Sequence, residues 1–340
     1  MRVLHVISSG GMYGAEAVIL NLSREMKARG HRSVVGVFAN EGKENVQLYE
    51  AARREGLEAE LIPCSGQVDR GVGARLRALV KKVGAEVVHA HGYKADIYSY
   101  FGLKDGGVPL VSTCHSWYDN DVMVRLYGAA DRRVLRRFAG VVAVSAEVRE
   151  RLLGSGVRAE RIRVIRNGID LRPFAGAEAT LRGEYPGLLV GLVGRLAREK
   201  GVDVFLRAAA VVLREMPEVR FVVVGDGPDK AVLEGLIEEL GIGGKATLLG
   251  RREDMAGTYA SLDVMVSASR QEGLPMAMLE GMASGRAMVA TAVGEVPGLM
   301  VEGTGLLVQP EDVEGLAAAM LRLLRDEGDR KRLGAGARAW

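Results

Sequence analysis

The chain has 340 residues, with 46 Lys and Arg against 43 Asp and Glu for a formal net charge of +3, and is 48% hydrophobic and 26% charged. That balance excludes a disordered, collagen-like or coiled-coil chain, and so small a net charge excludes the strong basic field used to hold nucleic acid. Cys64 and Cys114 are the only cysteines, too few for a disulfide scaffold and without metal-ligand spacing.

The length suggests about two domains of ~150 residues. Residues 1–7 carry one basic residue and too short an apolar stretch for a signal peptide, so they read as a buried first strand. Apolar runs at 3–8, 33–38, 87–89, 110–113 and 141–144 have strand length, and stretches such as 15–29 and 44–55 have helical periodicity. Val- and Leu-rich runs joined by helices predict parallel βαβ units. The alternation pauses at Asn167-Gly168-Ile169-Asp170, followed by Pro173, Gly176 and Pro186. It restarts at 188–193 and continues with 221–224, 247–249, 264–266 and 288–290. The expected fold is α/β with two doubly wound, Rossmann-like domains, at 1–170 and 188–340, joined by a hinge at 171–187. Ligands of such sheets lie beyond the carboxyl ends of the strands, which predicts a site in the cleft where the two domains face each other. No apolar run approaches the ~18 residues of a membrane helix, and the expected location is the cytoplasm, with reduced thiols.

The first strand runs into Ser8-Ser9-Gly10-Gly11-Met12-Tyr13-Gly14-Ala15-Glu16. Glycines before a helix let backbone N–H groups approach a ligand, and the helix start favours negative charge. The dinucleotide fingerprint would place glycine where Ser9 stands, and its ribose-binding acid is missing at Phe38-Ala39-Asn40. The loop is then either a tight turn or a contact for a phosphorylated ligand or acceptor. His89 and His91, and then His115, fall at strand ends on one rim of the first sheet, with His89 the more deeply packed of them. No carboxylate or thiolate at fixed spacing joins them, so no metal site is expected. Asp119-Asn120-Asp121 has the look of a short acidic metal signature, but it sits in a polar turn where Asp and Asn serve as caps. Arg132, Arg133, Arg136 and Arg137 interleave with Val134, Leu135 and Phe138, either as the solvated face of an amphipathic helix or as a membrane-surface contact.

In the second half, Gly194-Arg195 follows a strand and Lys200-Gly201 opens the next helix. Two cations five residues apart can fold onto one anion, Arg as a fork and Lys as a point charge. The segment Arg270 to Glu280 places Pro275 for a first helical turn, with Gly273 and Leu274 as backbone donors at a positive helix end. Glu280 lies about 7.5 Å along the axis from Pro275, so Glu272 and Glu280 would meet different parts of one extended ligand.

Taken together, Gly10-Gly11-x-x-Gly14-Ala15-Glu16, His89-x-His91-Gly92, His115, Gly194-Arg195 with Lys200-Gly201, and Glu272-x7-Glu280 resemble the family-four, group 1 retaining glycosyltransferases of the GT-B fold. The resemblance implies transfer of a hexose from a nucleotide sugar to an acceptor hydroxyl, with retention and with neither metal nor cofactor. It implies that Arg195 and Lys200 clamp the donor diphosphate, with Gly11 and Gly194 close by. Glu272 and the backbone of Gly273, Leu274 and Pro275 would face sugar and phosphates, Glu280 the ribose and Arg251 the base. His115 would border the sugar and the acceptor hydroxyl, while Gly10, Tyr13 and His91 line the acceptor side. The implied partners are a nucleotide sugar and a carbohydrate or lipid-linked acceptor, the latter reached by peripheral contact with the inner face of a membrane. Gly294-Glu295-Val296-Pro297-Gly298 departs from the usual Gly-Gly-x-Pro-Glu, and the family's helix crossing back to the first domain is not expected within these 340 residues. A nucleotide-sugar-binding protein without turnover, an NAD-dependent oxidoreductase and a sugar-nucleotide epimerase are the competing readings.

Overall fold

Runs of Val, Leu and Ile whose two faces are both covered by helices build two all-parallel sheets. The computed structural model describes residues 1–42, 45–65, 69–115 and 122–340, with 122–126 described by backbone alone. The chain divides into two units, Met1–Gly168 and Ile169–Trp340.

The first unit runs β1 (Arg2–Ile7), α1 (Gly14–Ala28), β2 (Arg32–Asn40), α2 (Gln47–Arg54), β3 (Glu58–Cys64), α3 (Val72–Val83) and β4 (Val87–His91). It continues with α4 (Tyr93–Leu103), β5 (Leu110–Cys114), α5 (Val122–Leu135), β6 (Gly140–Ala143), α6 (Ala146–Gly154) and β7 (Ile162–Val164). Its sheet order is β3-β2-β1-β4-β5-β6-β7. Because side chains alternate along a strand, Leu4, Val6, Val34, Phe38, Val88 and Ala90 share one core. Ile7, Val35 and Val37 join Ile19 and Leu20 of α1 in another. His5, His89 and His91 occupy the alternate positions, on the face opposite Leu4, Val6, Val88 and Ala90.

The second unit runs β8 (Leu189–Val193), α7 (Val202–Glu215), β9 (Arg220–Val224), α8 (Lys230–Glu239), β10 (Ala246–Gly250), α9 (Met255–Ser261) and β11 (Val264–Ser267). Then follow α10 (Met276–Ala283), β12 (Ala287–Thr291), α11 (Val296–Leu299), β13 (Leu306–Val308), α12 (Val313–Arg325) and α13 (Glu327–Ala339). Its sheet order is β10-β9-β8-β11-β12-β13. Phe205 of α7 and Phe221 of β9 meet edge-on in the core, ring centroids 5.8 Å apart.

Residues 171–187, expected as a hinge, pack on the second unit. Phe174 lies edge-on to Tyr259 at 6.1 Å, the Leu181 N–H donates to Ser261 Oγ at 2.8 Å, and Arg182 forks onto Asp263 at 3.0 Å. Pro275, expected in the first helical turn, stands one step before it as the N-cap of α10, with extended ψ of 115° and its carbonyl accepting from the Met278 N–H. Arg133, Arg136 and Arg137 are exposed while Val134, Leu135 and Phe138 are buried, but α5 ends at Leu135, so the expected helix face stops there and Arg136 to Phe138 lie in the turn that follows. No helix among the described residues is long and apolar enough to cross a membrane.

Phe205 is fully buried, so Phe205→Ala is expected to cost about 3–5 kcal/mol of stability. A denaturant titration checks this, and a loss below about 1 kcal/mol would contradict the packing described.

Candidate functional site

In each sheet the order of strands reverses beside the first strand. β1 lies between β2 and β4, and β8 lies between β9 and β11. Loops that leave neighbouring strands on opposite faces diverge there, opening a crevice at the carboxyl ends. Gly10, Gly11 and Tyr13 follow β1, His91 closes β4 and His115 follows β5. Gly194, Arg195 and Lys200 follow β8, Arg251 follows β10, and Glu272, Gly273, Leu274 and Pro275 follow β11. The residues singled out from sequence thus follow the carboxyl ends of strands in both units, most of them beside the strand reversals, with Arg251 out at the edge strand β10.

The glycine loop is braced from beneath. Glu16, buried in the first turn of α1, has Oε2 accepting from the Tyr13 N–H at 3.1 Å, and its Oε1 lies 2.9 Å from Ser9 Oγ. The Gly11 N–H donates back to Ser9 Oγ at 3.2 Å. Burial pushes the Glu16 carboxyl up, and the hydrogen bonds it accepts pull it back down. Ser9, which broke the dinucleotide fingerprint, is therefore the tie that shapes this loop.

Four rings stand beside it. His5 Nδ1 lies 3.3 Å from His91 Nε2, and His91 Nδ1 lies 3.5 Å from His115 Nε2. His89 packs against His91 at a tilt of 36° with centroids 4.2 Å apart, and places Nε2 2.7 Å from the Thr113 hydroxyl. Burial lowers His5 and His115 each to about 4, and carries His89 and His91 well below the usual range, helped by the neighbouring rings. All four are neutral at pH 7. His5, His89 and His91 each bring one ring nitrogen within 4.8 Å of the others, a loose all-imidazole set of the kind that could hold a borderline divalent cation and that sequence reasoning did not foresee. Asp119 and Asp121 lie outside the described residues.

The second unit is ionic where the first is neutral. Lys200 Nζ donates to Glu272 Oε1 at 2.6 Å, and Ser269 Oγ donates to the same oxygen at 2.7 Å. Lys200, expected with Arg195 around one anion, is held by Glu272 in this structure, and Arg195 is exposed on the same loop. The stem of Lys200 lies over Gly194, its Cδ 3.7 Å from where a Cβ would stand. Farther along α10, Glu280 Oε2 accepts from Tyr259 Oη at 2.8 Å. Burial raises the Glu280 carboxyl, and the Tyr259 hydrogen bond works against that rise. Arg251 is exposed at the end of β10. The departure at Gly294-Glu295 still meets the loop, since the Glu295 N–H donates to Gly273 O at 3.2 Å.

His5, Ser269 and Tyr259 escaped the sequence analysis. His5 reads as one more position in an apolar strand. Ser269 and Tyr259 act only through carboxylates, one of them 21 residues away. The pattern S-x-x-E at 269–272 was the one available signal.

An unfolded His titrates near 6.5 while folded His5 and His115 titrate near 4. As pH falls through that window the unfolded chain binds protons that the folded chain does not, so stability is full above pH 6.5 and falls toward pH 4. Urea midpoints at pH 7 and pH 5 should drop for the wild type and drop less for His5→Leu. Equal drops would remove His5 from this account.

Two family-wide profiles match the chain: one described as Glycosyltransferase Family 4 over residues 12–172, the other as Glycosyl transferases group 1 over residues 187–326. The chain is 32% identical over 281 residues to an alpha-D-kanosaminyltransferase of Streptomyces kanamyceticus, covering 76% of this chain and 72% of that one. It is 29% identical over 339 residues to a phosphatidyl-myo-inositol mannosyltransferase of Mycolicibacterium smegmatis, covering 96% and 84%. Two other relatives are matched over 42% and 49% of their own length. Among solved structures, Anabaena HepE in complex with UDP and glucose superposes with a TM-score of 0.88 at 22% identity, over 100% of this chain and 94% of that one. That likeness identifies the fold as GT-B, built from two parallel-sheet α/β units.

Proposed function

The chain belongs to glycosyltransferase family 4, the group 1 glycosyltransferases, and we propose that it moves a hexose from a nucleotide sugar to an acceptor hydroxyl with retention and without a metal. The observation that carries this reading is the Lys200–Glu272 pair at the start of α10, with Glu280 held by Tyr259 on the same helix. One short helix thereby offers a cation and backbone amides at its positive end and a carboxylate one to two turns on. That is the order of diphosphate and ribose in a nucleotide sugar.

In this mechanism the donor diphosphate shares Lys200 with Glu272 and engages Arg195. The bond from the anomeric carbon to the phosphate oxygen breaks, and charge develops on the β-phosphate. Arg195, Lys200 and the amides of Gly273 and Leu274 stabilise it in place of a metal. The acceptor oxygen bonds to the same face of the anomeric carbon, and its proton passes to a β-phosphate oxygen. Glu280 holds the ribose and Arg251 borders the base. On the first unit, Gly10, Gly11, Tyr13 and His91 shape the acceptor side, and His115 meets a hydroxyl. The acceptor is a carbohydrate or a lipid-linked sugar, and for the latter the exposed Arg133, Arg136 and Arg137 provide the membrane contact.

Arg195→Ala and Lys200→Ala should each lower kcat by about 10²–10³-fold, with the fold intact by circular dichroism. Wild-type turnover in both would refute the clamp, and turnover lost in chelator and restored by manganese would refute the metal-free step.

The two glutamates should fail differently. Glu280→Gln weakens an interaction made equally before and during bond cleavage, so donor KM rises more than kcat falls. Glu272→Gln removes a group where charge changes, so kcat falls more. Steady-state kinetics over a panel of nucleoside diphosphate sugars would measure both, and identical profiles would overturn the separate roles.

A further inference from the structure

We propose that His5 and His91 are positioning residues that hold His115 in one neutral tautomer, with its proton on Nδ1. The inference rests on the reading above that His115 meets a hydroxyl, and it decides what His115 can do there.

A neutral imidazole has one N–H and one bare nitrogen. His91 uses both ring nitrogens on other rings, Nε2 toward His5 and Nδ1 toward His115. Its ring packs at a tilt of 36° against His89, itself anchored at the Thr113 hydroxyl. With a single proton on His91, the chain of rings has two possible polarities. In the first, His91 donates from Nε2 to His5 Nδ1, which leaves the His5 proton on Nε2. That atom is fully buried and has no partner. An orphaned N–H in a protein interior is rare, and an unused acceptor is the less costly defect.

The second polarity has no orphaned donor. His5 Nδ1–H donates to His91 Nε2, and His91 Nδ1–H donates to His115 Nε2. The bare Nε2 of His5 is then the unpaired atom. His115 accepts at Nε2 and carries its proton on Nδ1, so it offers a hydrogen-bond donor to a sugar or acceptor oxygen. Its lone pair is already occupied by His91. His115 therefore orients a hydroxyl and does not deprotonate it, which sends the acceptor proton to the departing phosphate. The remote end of this arrangement, His5, lies on β1 and is set against β4 by the pairing of His5 with His89 and of Ile7 with His91.

The test is long-range proton–nitrogen NMR of the full-length, 15N-labelled protein at pH 7, with His115 assigned by the signals lost in His115→Gln. Protonated Nδ1 on His5, His91 and His115 is the expected result. A proton on Nε2 of His115 would overturn the proposal, and so would a copurified divalent cation on His5, His89 and His91, which would consume the lone pairs the chain needs. In His5→Leu the donor to His91 is gone, His115 is released from its single tautomer, and kcat should fall about 10-fold with donor KM unchanged. His5→Asn keeps an amide N–H near the place of Nδ1 and should restore both the tautomer and most of the turnover. An unchanged tautomer in His5→Leu would also overturn it. The spectra report the tautomer whether or not any sugar is transferred, so failure of the enzymatic reading and failure of this one are separate results.

Discussion

A parallel sheet that grows first to one side of its starting strand and then to the other cannot cover that strand's carboxyl end with its own connections. β1 and β8 are starting strands of this kind, each flanked by the next strand in sequence and by one reached later. The loops that leave them diverge, and their backbone groups must be satisfied by something other than the sheet. Both units solve this with a buried carboxylate and a serine. Glu16 takes Ser9 Oγ and the Tyr13 N–H under the first loop, and Glu272 takes Ser269 Oγ and Lys200 under the second. The difference lies in the last partner. Glu16 is spent on backbone and holds a loop, while Glu272 holds a cation that can be shared with an arriving anion.

That difference divides the chemistry. Desolvation keeps His5, His89, His91 and His115 neutral, so they contribute directional hydrogen bonds and no charge. Neutral rings suit hydroxyls, whose recognition depends on who donates and who accepts. The second unit concentrates charge on Lys200 and Glu272, with Arg195 nearby, which under the proposed function would suit a diphosphate. Arg270, although adjacent in sequence, is spent on structure, forking onto Asp203 and Glu311.

Most of the central strands were legible because burial on both faces makes them continuous apolar runs. The edge strands β3, β7 and β13 were not: β3 alternates Glu58 and Glu60 with apolar residues, and the other two are short and partly exposed, whereas β10, also at an edge, carries the apolar run at 247–249. The strand-end motifs were legible for a related reason, because glycine, proline and charge interrupt the apolar pattern there. What sequence could not show was pairing over distance. Lys200 and Arg195 are visible as two cations at a separation of five, but the carboxylate that holds Lys200 lies 72 residues away at Glu272. His5 and His91 are 86 apart and meet only because parallel register sets β1 against β4.

The segment after β12 shows why a departure from a familiar motif can leave the site intact. Gly294 has φ 52°, and a Cβ there would stand 2.1 Å from the carbonyl oxygen of Glu272. No other residue could let the two backbones approach so closely. Beside it, the Glu295 N–H donates to Gly273 O, and Thr291 Oγ1 donates to Ser269 O at 2.6 Å. The loop that carries Glu272 is therefore held through its main chain at 269, 272 and 273 by the neighbouring strand end. Those contacts need glycine at 294 and a hydroxyl at 291, and they ask for only a backbone N–H at 295. The position of the Glu272 carboxylate, and of the Lys200 ammonium it holds, is thereby set from the end of β12.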